Sequence, residues 1–142
     1  MRRRDARIEA LQGVPLFAGL TRKELGEVLV LGEEMEFAPG RSLVEAGTEA
    51  RDFYLLLDGS AKLSVPGRRT ATLGPGDYFG EMSVLDGGPR SATVTAVTHG
   101  WALRVDRSAF VRLLDAHGSI GRKILVELSQ RVRRAEGAQG RH

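Results

Sequence analysis

The chain has 142 residues, 42% of them hydrophobic, with 18 glycines, five prolines, no cysteine and a formal net charge of +3. That length suits one ordinary domain with a real core, and the absence of cysteine excludes a disulfide framework, a thiol nucleophile and a Cys-based metal site. No apolar run approaches the roughly 20 residues of a membrane span, and the opening MRRRDARIEA lacks the apolar centre of a secretory signal, so a cytoplasmic location is expected.

The first segment, ARIEALQGVPLFAGLTRKELGEVLVLG, has helical character interrupted at Gly13-Val14-Pro15. Thr21 followed by Glu24 three residues later predicts a capping box, and Leu25, Val28 and Leu29 follow at helical spacing. After Gly32 the period changes to two. EEMEFAPG alternates, with Met35 and Phe37 on one face, and ends in a Pro-Gly turn. RSLVEAG is a short strand. DFYLLLDG is almost continuously apolar, as in a strand covered on both faces, and its Asp58-Gly59 signals a hairpin turn. AKLSV, ATLGPGDYFG, SATVTAV and WALRV follow, separated by turn residues; Gly40, Gly47, Gly59, Gly74 and Gly76 read as turn positions and Tyr78 and Trp101 as packing groups. Seven or eight short strands with such regular punctuation predict an antiparallel, jelly-roll-like β-roll.

Helical period returns at the end of the chain. Asp106 can cap RSAFVRLLDAH, Gly118-Ser119 reads as a break, and IGRKILVELSQRVRRAE predicts a longer helix with an apolar stripe of Ile124, Leu125, Leu128 and Val132. The expected organisation is one mainly β domain with flanking helices: helices over 1–32, the roll over 33–105, two helices over 106–136 and a tail over 137–142. Residues 1–7 carry four arginines against one aspartate, and residues 120–142 six basic against two acidic, which leaves eleven basic and fifteen acidic between them. The body is thus mildly acidic and the ends basic. A nucleic-acid reader concentrates basic charge on its folded face, so nucleic acid is not the expected partner.

The most informative stretch is FGEMSVLDGGPRSATV, residues 79–94. Gly80 permits close backbone approach, and a helix starting there would present free N–H groups and a positive dipole end to an anion. Arg90 adds a planar, permanently charged fork suited to a phosphate, and Ser91 a hydroxyl donor. Glu81 would repel a phosphate but is a strong acceptor for a sugar hydroxyl. A ligand needing both is a phosphorylated sugar with a free hydroxyl.

FGEMSVLDGGPRSATVTA resembles the phosphate-binding cassette of cyclic nucleotide-binding domains, the modules of bacterial catabolite regulators, kinase regulatory subunits and cyclic-nucleotide-gated channels. PLFAGLTRKEL resembles the helical entry of that family, and FAPGRSLVEAGTEARDFYLLLDGSAKL the first half of its roll. The resemblance implies that Glu81 takes the ribose 2′-hydroxyl and Arg90 the cyclic phosphate. Backbone N–H groups around Gly80, Met82 and Ser83, with Ser91 and Ala92 of the arginine's RSA motif, complete the cradle. It implies cyclic AMP as ligand with cyclic GMP tolerated, no cofactor, and an effector domain or protein that reads the terminal helices. In the family the last helix often closes over the base. Helical geometry sets Arg131 beside the apolar stripe, from where its guanidinium could lie against a purine.

Enzyme readings fare worse. A cupin-type metal site wants clustered histidines, and His99, His117 and His142 are far apart. No Ser-His-Asp or paired-carboxylate arrangement stands out, so no catalysis and no metal are expected. Family members that bind DNA append a helix-turn-helix, whereas this sequence stops soon after the long helix. The alternatives are a fragment of a cyclic AMP-responsive transcription factor or channel, or a degenerate member of the fold serving as a protein-interaction module.

Overall fold

The computed structural model describes residues 3–49, 52–81 and 88–138. Helix α1 (Arg3–Gln12), a 3-10 turn (Pro15–Phe17) and α2 (Arg22–Leu31) precede the strands. The capping box forms as expected: the Glu24 amide donates to Thr21 Oγ1 at 3.1 Å and the Thr21 amide to Glu24 Oε1 at 2.9 Å. These bonds satisfy two of the amides that a helix start leaves unpaired.

Among the described residues, eight strands then build two four-stranded antiparallel sheets. One runs in the order β1 (Glu33–Phe37), β8 (Gly100–Asp106), β3 (Asp52–Asp58), β6 (Tyr78–Phe79). The other runs β2 (Ser42–Val44), β7 (Thr93–Ala96), β4 (Ala61–Ser64), β5 (Ala71–Leu73). Strands that are neighbours in space are mostly distant in sequence, which is the roll expected from the pattern of short strands and turns.

The apolar run of β3 explains how helices and roll meet. Successive side chains of a strand point to opposite faces. Tyr54 and Leu56 face the roll interior with Phe37, Val44, Phe79, Val94 and Ala102. Phe53, Leu55 and Leu57 face outward, where Leu103 and Val105 of β8 join them against the helices. The Phe53 ring stacks on Phe110 at 4.6 Å between centroids, which fastens α3 (Arg107–Ala116) to the sheet. Each such buried aromatic or leucine contributes about 1.5–3 kcal/mol relative to exposure.

Asp106 caps α3 by accepting from the Ala109 amide at 2.8 Å. The break before the last helix lies at His117 rather than at Gly118-Ser119. The His117 backbone leaves helical geometry, with its amide on the Leu113 carbonyl and its carbonyl taking the Ile120 amide. Helix α4 therefore starts at Gly118 and runs to Ala138, two residues into the expected tail. The inward stripe of α4 also differs from the expectation. Ile120 and Ile124 are fully buried and Leu128 packs at the edge of the core, but Leu125 and Val132 are exposed. At about 100° per residue, Arg131 lies only about 20° from Ile124, so the inward face centres on Ile120, Ile124 and Arg131 instead of on Leu128. Lys123 reinforces this orientation by donating to the Ala18 carbonyl at 2.9 Å and to the Pro15 and Leu16 carbonyls at 3.3 and 3.4 Å. No helix among the described residues is long and apolar enough to cross a membrane.

Candidate functional site

Strand β6 delivers the chain to Gly80, whose φ of +89° favours glycine. The fit around it is close: a Cβ there would meet the Asp52 carbonyl at 2.5 Å and Arg90 Nη1 at 2.6 Å. Arg90 arrives from the other side. Its amide donates to the Thr48 carbonyl at 2.9 Å, and its own carbonyl accepts from the Gly47 amide at 2.8 Å, so its backbone is pinned to the segment after β2.

Arg90 is 4% exposed. Its Nη2 donates to the Asp52 carbonyl at 2.7 Å and its Nη1 to the Gly80 carbonyl at 3.3 Å, and the Tyr54 ring lies 5.8 Å from the guanidinium carbon. Its Nε is buried without a hydrogen-bond partner among the described residues. Desolvation pulls the Arg90 pKa below its ordinary value, against support from the Asp52 and Glu81 carboxylates. An arginine remains charged at neutral pH even so. The site is therefore a buried cation, fixed by two carbonyls, with its Nε left without a partner among the described residues. A buried charge is costly unless paired, so such a site favours an anion.

Glu81 is buried too, at 4% exposure. It accepts from Arg131 Nη1 at 2.9 Å, and Arg131 Nη2 donates to Glu127 Oε1 at 2.9 Å. Glu127 in turn takes the hydroxyl of Tyr78 through its Oε2. Desolvation acts to lower the Arg131 pKa, but Glu81 and Glu127 outweigh it and hold the group above its ordinary value. Burial, followed by the bond to Glu127, pushes the Tyr78 hydroxyl well up, so it stays a donor across the neutral range.

A cavity of about 580 Å³ brings these groups together. Gly80, Glu81, Arg90, Ser91, Ala92 and Arg131 all line it, with Val44, Leu63, Leu73 and Val94 as its apolar wall. Met82 and Ser83 lie outside the described residues, as does the expected helix start beyond Glu81. Arg131 thus reaches the cavity as the sequence suggested, but its guanidinium is committed to two carboxylates. Among the described residues no group of His, Asp or Glu could hold a metal ion. Sequence reasoning missed the Asp52 carbonyl, since any residue type could have supplied it. It also missed Tyr78 and Glu127; the Glu127–Arg131 spacing of four was a readable helix-pair signal, though its link to Glu81 was not.

A model of the cyclic nucleotide-binding domain family matches residues 34–117. The chain is 30% identical over 125 residues to the cAMP-dependent protein kinase type II regulatory subunit of Drosophila melanogaster, covering 88% of this chain and 33% of that protein. Among solved structures it is similar to the Thermus thermophilus catabolite activator protein, at 30% identity and a TM-score of 0.79, covering 89% of this chain and 62% of that one. It is also similar to the regulatory domain of Toxoplasma gondii PKA crystallised with cAMP, at 28% identity and a TM-score of 0.78, covering 90% of this chain and 50% of that one. The chain thus spans only part of each of these proteins.

Proposed function

The chain belongs to the cyclic nucleotide-binding domain family, and on that premise we propose that it binds cyclic AMP, tolerates cyclic GMP, and acts as a non-catalytic regulatory module. The observation that carries this reading is Arg90: a buried guanidinium held by two carbonyls, with Nε unpartnered among the described residues and its side chain lining a cavity. That arrangement suits a compact monoanion such as a cyclic phosphodiester, which receives charge-assisted hydrogen bonds in a site of low dielectric. The amides of Gly80, Met82 and Ser83, with Ser91 and Ala92, complete the phosphate cradle. Glu81 accepts the ribose 2′-hydroxyl, and the apolar wall receives the rest of the nucleoside. Arg131 faces the bound nucleotide from α4.

Occupancy is transmitted through the helices. Arg131 and Lys123 tie α4 to the cassette and to the 3-10 turn, respectively, so a ligand that alters the cassette alters the seating of both terminal helical segments. An effector domain or a separate protein reads that change. The experiment is calorimetric titration of the ligand-free protein with cyclic AMP, cyclic GMP and 5′-AMP. The reading expects cyclic AMP to bind most tightly and 5′-AMP at least about tenfold more weakly, a difference near 1.4 kcal/mol. Equal binding of cyclic AMP and 5′-AMP would reduce the site to a general phosphate pocket. Absence of all binding would leave the fold as a protein-interaction module.

A further inference from the structure

We propose that Glu127 and Tyr78 are positioning residues for ribose recognition, acting through Arg131 to hold Glu81 where it meets the 2′-hydroxyl. The proposal rests on the cyclic-nucleotide reading and deepens it, because it makes recognition of the sugar conditional on the seating of α4.

Four side chains form one continuous line. The Tyr78 hydroxyl donates to Glu127 Oε2, Glu127 Oε1 accepts from Arg131 Nη2, and Arg131 Nη1 donates to Glu81 Oε1. Glu81 belongs to the cassette and Tyr78 to β6, while Arg131 and Glu127 belong to α4, so the line leaves the roll, crosses the helix and returns. Its members differ in exposure. The Glu81 side chain is 6% exposed, whereas those of Arg131 and Glu127 are 42% and 41% exposed. A buried carboxylate needs a counter-charge, and α4 supplies it. The bond engages Oε1 alone. A carboxylate has two acceptor oxygens, so Oε2 can accept from a hydroxyl while Arg131 stays in place. Arg131 is then a support for the ribose contact and does not compete with it.

The orientation of Arg131 is itself fixed. A free arginine has many rotamers, and ordering it costs conformational entropy. Glu127, one turn earlier on the same helix, holds the second guanidinium nitrogen, and Tyr78 holds Glu127. Glu127 does not line the main cavity; it lines a neighbouring one of about 410 Å³, on which Tyr78 and Arg131 also border. An effect of Glu127 on ribose recognition would therefore pass through its two partners, Arg131, which holds Glu81, or Tyr78, which borders both cavities.

The test compares cyclic AMP with 2′-deoxy cyclic AMP on the full chain and on Glu127→Ala. In the wild type the missing hydroxyl should weaken binding about tenfold or more, the usual worth of a hydrogen bond to a charged group. In Glu127→Ala that gap should narrow to about threefold or less, with binding of the 2′-deoxy ligand changed by less than about twofold. Tyr78→Phe, which removes one hydroxyl and keeps the ring, should narrow the gap in the same direction and guards against a folding defect in the first variant. An unchanged gap in both variants overturns the proposal, and so does equal weakening of both ligands, which would mean a general loosening of α4. A widened gap overturns it as well, because Arg131 would then be competing for Glu81. A wild type that binds cyclic AMP with no preference for the 2′-hydroxyl removes the ribose role of Glu81 and the relay with it. A wild type that binds no cyclic nucleotide overturns the functional reading beneath it instead.

Discussion

A Cβ on Gly80 would lie 2.6 Å from Nη1 of Arg90, so the smallest side chain at one position would displace the cation at the other. Gly80→Ala should therefore do two things. The positive φ and the clash with the Asp52 carbonyl should cost about 1–3 kcal/mol of stability, seen as a lowered unfolding midpoint. Displacement of Arg90 should also weaken cyclic AMP binding about tenfold or more, measured by titration at a temperature where the variant is folded. Native-like stability and affinity together would show that the backbone there accommodates a side chain, contrary to the geometry.

The stack of Phe53 on Phe110 fastens α3 to the outer face of β3. Phe110 is fully buried, and Phe110→Ala should destabilise the protein by about 3–5 kcal/mol through lost transfer energy and a residual cavity. Denaturant unfolding measures this directly. A cost below about 1 kcal/mol would mean that the helical layer collapses onto the vacated space.

Acid sensitivity should include a contribution from the capping box at α2. The Thr21 amide and hydroxyl hold the Glu24 carboxyl below its ordinary value of 4.5, with a smaller contribution from His117, 3.4 Å away. A carboxyl whose folded pKa is depressed stabilises the protein at pH values above its unfolded pKa. That stability is lost as pH falls through the folded value. The advantage of wild type over Glu24→Gln should thus be fully present at neutral pH and shrink steadily below pH 4.5. An advantage that is constant across that range would mean the carboxylate charge contributes nothing to the cap.

Much of the fold could be read from the sequence, because period and punctuation are local signals. DFYLLLDG announced a strand covered on both faces, and β3 divides its side chains between the roll interior and the helical layer. Thr21 with Glu24, and Asp106, announced two helix starts that formed as written. The face of α4 was not legible. Leu125 and Val132 are apolar yet exposed, because the helix is oriented by Ile120, Ile124 and the Lys123 bonds to three distant carbonyls. Apolar spacing on one helix carries no record of such anchors. The same holds for the site. Residue types and spacing picked out Glu81, Arg90 and Arg131. The Asp52 carbonyl that fixes Arg90 and the Tyr78–Glu127 pair behind Arg131 come from segments that only folding brings together.

The central claim is that Arg90 holds the phosphate of a cyclic nucleotide, and titration of Arg90→Ala with cyclic AMP tests it most directly. Loss of a buried charge-assisted contact should cost about 2–5 kcal/mol, or roughly 30-fold and more in affinity, in a protein whose circular dichroism and cooperative unfolding remain native. Arg90→Lys should not restore binding, because a single ammonium cannot hold two carbonyls and the anion in the planar geometry of the guanidinium. Affinity for cyclic AMP in folded Arg90→Ala equal to that of the wild type would contradict the account.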